Sequence, residues 1–228
     1  MGLCRKSNED MALVADSLVR DGEDSFAFQI PEGGMTFCAV VCDGVGGHSD
    51  GEVASEMACR LFLRFVNELP EGLDDNAVIR FLKRWTRETN MEIMRLSNGN
   101  GMACTLTGLL IYYDSAYVLN IGDSRTYRLR YETLKQLTTD HSERTRTGDM
   151  SISPSVIYNC LGIPECFIDV TATRVVEGDT FVVCSDGLSD MVPDDVIAAK
   201  AFDAHALVSA ALEAGGTDNV TVISLNFE

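Results

Sequence analysis

An α+β fold built on antiparallel sheet is the prediction of this sequence, and three observations carry it. Short apolar runs follow one another through the second half of the chain with two-residue breaks between them, as strands joined by hairpins do. Two long stretches instead repeat apolar residues at i, i+3 and i+4, and they stand side by side rather than alternating with strands. There is also no internal repeat, low-complexity tract or linker. The 228 residues, 46% hydrophobic and 23% charged, therefore read as one domain over 1–228 with one sizeable core.

The first strong run, "TFCAVVC", ends at Asp43 and opens into a loop holding Gly44, Gly46, Gly47 and Gly51. A loop built only to turn needs one or two glycines, so the surplus implies that something approaches the backbone there. Ser49 and Glu52 have capping-box spacing for a helix whose Ala54, Met57, Ala58, Leu61, Phe62 and Phe65 share a face. A second amphipathic stretch, roughly 74–96, puts Val78, Phe81, Leu82, Trp85 and Met94 on one face, and "SNGNG" ends it. Four strands follow, "TLTGLLIYY", "AYVLNIG", "RTYRLRY" and "TLKQLT", with hairpin-like breaks at "DS" (114–115), "DS" (123–124) and "ET" (132–133). Residues 143–155 read as a loop. "DVTATRVV" and "DTFVVCSDG" read as strands, Pro193 opens a short helix, "AHALVSAALEAGG" is another, and "NVTVISLNF" is a final strand.

Charge and cysteine usage narrow the function classes. With 35 acids against 18 bases the net charge is −17, which disfavours nucleic acid, whose phosphates need a basic face. The eight cysteines form no CxxC pair and several lie inside apolar runs, as buried free thiols do, so neither a zinc nor a disulfide framework is expected. No apolar run approaches the ~18 residues of a membrane span. "MGLCRKSNED" turns polar within a few residues, so no secretory signal is expected, and Lys6 stands where myristoylation wants Ser or Thr. The expected location is cytoplasmic, with no membrane partner.

Four stretches, "NED" (8–10), "VVCDG" with Asp43, "VVCSDG" with Asp186 and "GGTDN" with Asp218, set acids at edges of the expected sheet. Strand ends on one side of a sheet bring distant residues together, and carboxylates so gathered repel unless a hard cation sits among them. Oxygen donors without a His or Cys cluster suit Mg²⁺ or Mn²⁺ rather than zinc. Taken one at a time, the same acids are ordinary turn residues; the pattern alone leaves both readings open. Other motifs fail. "DGVGGHSDGE" has Val45 and Gly47 at EF-hand ligand positions, Ser49 where GxGxxG needs glycine, and no Walker lysine. "GDS" at 122–124 lacks the Asp and His spacing of a serine hydrolase.

"GLCRKSNED", "VVCDGVGGHSDGEVAS", "NIGDSRTYRLR", "LTTDHS", "NCLG", "GDTFVVCSDGLSDMV" and "GGTDNVTV", in that order along nearly the whole chain, resemble the metal-dependent protein phosphatases of type 2C, particularly their bacterial branch. The resemblance implies a four-layer αββα sandwich, two antiparallel sheets flanked by helices. It implies hydrolysis of phosphoserine and phosphothreonine in proteins by a water activated between two Mn²⁺ or Mg²⁺ ions, without a phosphoenzyme. By the same resemblance Asp43 bridges both ions, the Gly44 carbonyl and Glu9 complete one shell, Asp186 and Asp218 hold the other ion, and Asp10 contacts bound water. Arg5 grips the substrate phosphate, where bidentate geometry is its advantage over lysine. Asp140 matches the position that helps hold a third, weaker ion beside Asp186. Asn219 and Asp123 fall in supporting positions, although the residue pattern alone makes Asp123 a buried acid bonded to a turn. His48 and His141 read as loop or cap residues. The implied partners are phosphoproteins, a Ser/Thr kinase or its substrates among them.

Three departures qualify the match. Val45 stands where many eukaryotic members carry a histidine proposed to protonate the leaving alkoxide. The flap between "LTTDHS" and "NCLG" is shortened to "ERTRTGDMSISPSVIY", which puts in doubt both flap contacts to substrate and the third ion. The chain starts almost at "GLCR", so the family's first strand is expected to be short or missing, and a bare catalytic domain without regulatory extensions is the expectation. The rival reading, from another class, is a catalytically weak phosphatase-like module that binds a phosphoprotein or regulatory partner.

Overall fold

The computed structural model describes residues 2–27, 29, 34–45, 50–99 and 101–228. In chain order the elements are β1 (Met11–Val14), β2 (Ser17–Val19), β3 (Thr36–Cys42), β4 (Gly44–Val45), α1 (Gly51–Asn67), α2 (Asp75–Ser97), β5 (Ala103–Cys104), β6 (Leu106–Tyr112), β7 (Ser115–Ile121), β8 (Arg125–Arg130), β9 (Thr133–Gln136), α3 (Glu143–Thr147), β10 (Asp169–Thr173), β11 (Thr180–Cys184), α4 (Asp186–Ser189), α5 (Asp194–Lys200), α6 (Ala204–Glu213) and β12 (Val222–Asn226). All pairings are antiparallel. They build a six-stranded sheet of order β10-β7-β6-β3-β1-β2, a four-stranded sheet of order β12-β11-β8-β9 and a short β4-β5 ladder.

Period-two alternation along the strands decides the layers. On β3, Phe37, Ala39 and Val41 pack between the sheets with Val183 and Ile223, whereas Cys38, Val40 and Cys42 face the helices α1 and α2 among Phe62, Leu82 and Trp85. β11 repeats the scheme in the other sheet: Phe181 and Val183 point inward, Val182 and Cys184 toward Leu188, Ile197 and Leu207. Helices therefore cover the outer face of each sheet, giving the expected αββα order. Phe62 and Leu82, both fully buried, each contribute roughly 1.5–3 kcal/mol relative to exposure. Across the inner layer the sheets are also stitched by Thr107 Oγ1 to Thr126 Oγ1 at 3.0 Å.

Several local expectations change. The "GDS" break is no hairpin: β7 lies in the large sheet and β8 in the small one, so Asp123-Ser124 carries the chain across the sandwich. The other two expected breaks are hairpins that turn one residue earlier, at Tyr113-Asp114 and Tyr131-Glu132. In the second, both residues have positive φ, 48° and 62°, the backbone that matches strand twist in a two-residue turn even without glycine. Helix α1 starts beside Asp50, which makes no side-chain cap bond; Ser49 of the expected capping box lies outside the described residues. On α2, Asp74 caps by accepting from the Ala77 amide at 2.6 Å, and Ile93 rather than the exposed Met94 continues the buried face. The expected loop 143–155 contains α3, capped by Ser142 and ended by Gly148 at φ 72°. β1 follows Glu9 and Asp10 and pairs with β2 and β3; among the described residues no strand precedes it. Among the described residues no helix is long and apolar enough to cross a membrane.

Candidate active site

β3 delivers Asp43 to the rim of the sandwich, and Thr105, between β5 and β6, fixes it there. The Asp43 amide donates to Thr105 Oγ1 at 3.0 Å and its carbonyl accepts from the Thr105 amide at 2.8 Å, while Thr105 Oγ1 also meets Ser124 Oγ at 2.8 Å. Beyond Asp43 the backbone is pressed against the start of α1. A Cβ on Gly44 would lie 2.6 Å from Gly51 C and 2.9 Å from Glu9 Cβ; one on Gly51 would lie 2.9 Å from Glu9 Oε2. Gly44 and Gly51 thus make room for each other and for the Glu9 side chain. Gly46, Gly47 and His48 lie outside the described residues.

Chain segments far apart in sequence complete the site. The Leu3 amide donates to the Gly216 carbonyl at 2.8 Å, and Arg5 pairs with Asp218 through Nη2–Oδ2 at 2.5 Å. Asn219, nearly fully buried, accepts from the Glu9 amide and donates to the Ser7 carbonyl, both at 3.0 Å. It therefore clips the segment leading to Glu9 and Asp10 onto the loop after α6. Asp10 is completely buried and accepts from Ser185 Oγ at 2.8 Å. The Ser185 hydroxyl in turn accepts from the Thr221 amide at 3.1 Å.

Like charge concentrates where these segments meet. Burial, with Asp10, Asp186, Asp123 and Asp218 nearby, holds the Asp43 carboxyl well above its ordinary pKa. Burial raises Asp10 against hydrogen bonds from Ser185, Thr221 and Asp43. Asp186 is pushed up to about 8, by burial first and then by the charges of Asp123, Asp218 and Asp190. Asp123 reaches about 7, again by burial first, with Asp140 and Asp190 adding to it. One oxygen each of Asp10 and Asp186, Oδ1 in both, is buried with no hydrogen-bond partner. Arg5 faces this group: its guanidinium is stabilised by the bond to Asp218 and by the charges of Asp218, Glu9 and Asp43.

The donor set is carboxylate and carbonyl oxygen, the chemistry of a hard divalent cation. Burial and like charge that raise several carboxyl pKa values and leave two oxygens unsatisfied are what such a cation would relieve. Among the described residues no three of these side chains are drawn in tightly enough to coordinate a common point as they stand.

The remaining expected residues divide. Asp123 is the leading charge acting on Asp186 and also has a backbone hydrogen bond. Asp140 is committed elsewhere: Arg125 holds it through Nε and Nη2 at 3.0, 3.1 and 2.7 Å, and Gln136 Nε2 adds a bond at 3.0 Å. His141 is a structural joint. Its Nδ1 accepts from the Gly122 amide at 3.1 Å and from Asn159 at 2.8 Å, and Nε2 faces Asp169 Oδ2 at 3.1 Å. With Nδ1 accepting, the ring carries its proton on Nε2, an assignment made from the hydrogen bonds. Asp190 was missed in the sequence; its pKa is raised, chiefly by burial, and its amide donates to the Asp186 carbonyl at 2.8 Å. The four-residue spacing in "DGLSD" was the available signal.

Comparison with known proteins agrees with this geometry. A family model for protein phosphatase 2C matches residues 20–218. The chain is 34% identical over 206 residues to the serine/threonine phosphatase stp of Listeria welshimeri serovar 6b, covering 81% of this chain and 82% of that protein. It is 34% identical over 242 residues to the serine/threonine protein phosphatase PstP of Mycobacterium tuberculosis, covering 97% of this chain and 42% of that longer protein. The crystal structure of the PstP catalytic domain in complex with two manganese ions superposes with a TM-score of 0.75 at 31% identity, covering 98% of this chain and 93% of that one.

Proposed function

Because this chain belongs to the protein phosphatase 2C family, we propose that its acid cluster is the two-metal site of a serine/threonine protein phosphatase. The observation that carries the reading is the group of Asp10, Asp43 and Asp186, whose carboxyl pKa values burial and like charge raise and two of which keep a buried oxygen without a partner, with Asp218 beside them and Arg5 as the cation facing them. Two Mn²⁺ or Mg²⁺ ions, when bound, supply Lewis-acid charge and lower the pKa of water enough for it to attack phosphorus.

The chain's own residues divide the work. Asp43, central to the mutual repulsion, would be shared between the ions. Glu9 and the carbonyl of Gly44, whose Cα lies close to the Glu9 side chain, would serve one ion, and Asp186 with Asp218 the other. Asp10 and Asp123 would set the charge and hydrogen bonding around them. Arg5 sits at the mouth on an exposed side chain and would exchange Asp218 for the substrate phosphate, which a planar guanidinium binds bidentately. The third ion expected at Asp140 gains no support from the geometry, since Arg125 and Gln136 engage both oxygens of that carboxylate.

Asn219 offers a test of the positioning. Asn219→Ala strands the Glu9 amide and the Ser7 carbonyl, and metal-dependent turnover is expected to fall about 10–100-fold with secondary structure intact by circular dichroism. Unchanged turnover at every metal concentration would remove Asn219 from the site. Val45 offers another. It pairs with Ala103 in the β4-β5 ladder and has no proton to give a leaving alkoxide, so aryl phosphates are expected to be cleaved much faster than alkyl ones. Equal turnover of both, with a large loss in His48→Ala, would contradict this.

The decisive assay follows release of phosphate from p-nitrophenyl phosphate and from a phosphothreonine peptide with Mn²⁺, with Mg²⁺ and with chelator. Metal-dependent release is expected on both substrates. Failure on both would leave the phosphatase-like binding module as the surviving reading. The partners this function implies are phosphoproteins in the cytoplasm, a Ser/Thr kinase or its substrates.

A further inference from the structure

Away from the acid cluster, α2 carries the opposite charge. Arg80, Lys83, Arg84 and Arg87 fall at i, i+3, i+4 and i+7, all exposed, with no acid between Asp75 and Glu88. On a chain of net charge −17 this is a local reversal of sign. Among the described residues, Arg80, Lys83 and Arg87 make no ion pair, and Arg84 makes only a 3.8 Å approach to Glu88 while lying 4.5 Å over the Phe81 ring.

These side chains form one wall of an open groove of about 850 Å³, whose other wall is the segment 166–169. Its apolar surface comes from Phe81, from Ile168 and from Phe167, the last 44% exposed. That second wall is firmly held. Asn159 accepts from the Phe167 amide at 3.1 Å and donates to its carbonyl at 2.9 Å, and His141 holds Asp169. A pre-formed groove with a cationic rim and aromatic floor suits an extended acidic segment carrying one apolar side chain. The apolar floor favours a peptide over a nucleic acid, and the acidic remainder of the surface would repel a long polyanion.

We propose that this groove docks an acidic segment of the phosphoprotein substrates, outside the phosphorylated residue itself; the substrate part of this assignment rests on the phosphatase reading above. The probe is a short, unphosphorylated, dye-labelled Glu-rich peptide with a single Phe, titrated with the full chain and read by fluorescence anisotropy. Arg80→Glu/Lys83→Glu/Arg87→Glu is expected to weaken binding at least tenfold, and Arg60→Glu on α1, as a control, to leave it unchanged. Replacing the peptide Phe by Ala should also weaken it, and added salt should weaken wild-type binding steeply, a check that needs no variant.

Joined by a flexible Gly/Ser linker to a phosphothreonine peptide, the segment should lower KM several-fold for the wild type and not for the triple variant. Turnover of p-nitrophenyl phosphate should be alike in both. Equal binding by wild type and triple variant, tighter binding of a neutral peptide or of single-stranded DNA, or binding with no change in KM would each overturn the proposal. Loss of p-nitrophenyl phosphate turnover in the wild type would instead sink the phosphatase reading, and the anisotropy arm would still decide whether the groove binds acidic peptide.

Discussion

Asp43→Asn is expected to lose metal-dependent phosphate release by about 10³-fold, the scale on which removing a charge that organises the transition state acts, and at the same time to make the metal-free protein more stable. Both effects have one cause. Asp43 sits among Asp10, Asp123, Asp186 and Asp218, and at alkaline pH, where its raised carboxyl ionises, a neutral amide of the same size removes the central charge of that group. Under those conditions the melting temperature should rise by a few degrees, each kcal/mol moving a domain of this size by about 2–4 °C. Thermal melts in chelator and turnover in Mn²⁺ read the two effects separately. A variant that is inactive and less stable would point to a structural role for Asp43, and one that stays active would falsify the metal-site reading.

The second large effect is on pH. For Asp186 the folded-state pKa, about 8, lies above its ordinary 3.8, and Asp123 moves the same way to about 7. Between those limits the folded chain binds more protons than the unfolded one, so stability falls as pH rises. The contribution is fully present below pH ~4 and is lost as pH climbs through the folded values, the carboxyls titrating as a coupled set. In chelator the protein should therefore melt several degrees lower at pH 8 than at pH 5.5. Mn²⁺ should reverse the order, because a cation competes with those protons and adds about 2.7 kcal/mol at a hundred times its dissociation constant. Asp186→Asn should flatten the slope in chelator. A chelated protein that grows steadily more stable from pH 5.5 to 8 would show that these acids are not crowded as described.

How far the sequence reaches is clearest residue by residue. β3, β6, β7 and β11 were legible because each faces two hydrophobic layers, so their runs are long and apolar. β1 escaped notice: four residues, "MALV", followed by Ala15 at φ 54°, a left-handed turn at a residue that gives no warning of one. Glycine surplus correctly signalled close approach at Gly44, but the approaching group is the start of α1 with Glu9, which no local pattern encodes. Asp43, Asp186 and Asp218 stood out as strand-end acids beside turn residues, whereas Asn219 looked like turn chemistry until its two bonds to the segment 7–9 were seen. The groove was invisible for the same reason. Its walls are a helix and a loop some eighty positions apart, and only tertiary packing makes them neighbours.

The pairing of Arg5 with Asp218 and of Glu9 with Asn219 spans more than two hundred residues. On the ribosome, the segment bearing Arg5 and Glu9 emerges before its partners and waits for more than two hundred further residues. Contacts of such sequence separation are closed late and slowly. A nascent chain that has not yet extruded Asp218 would therefore lack a complete acid cluster and be inert toward phosphoproteins.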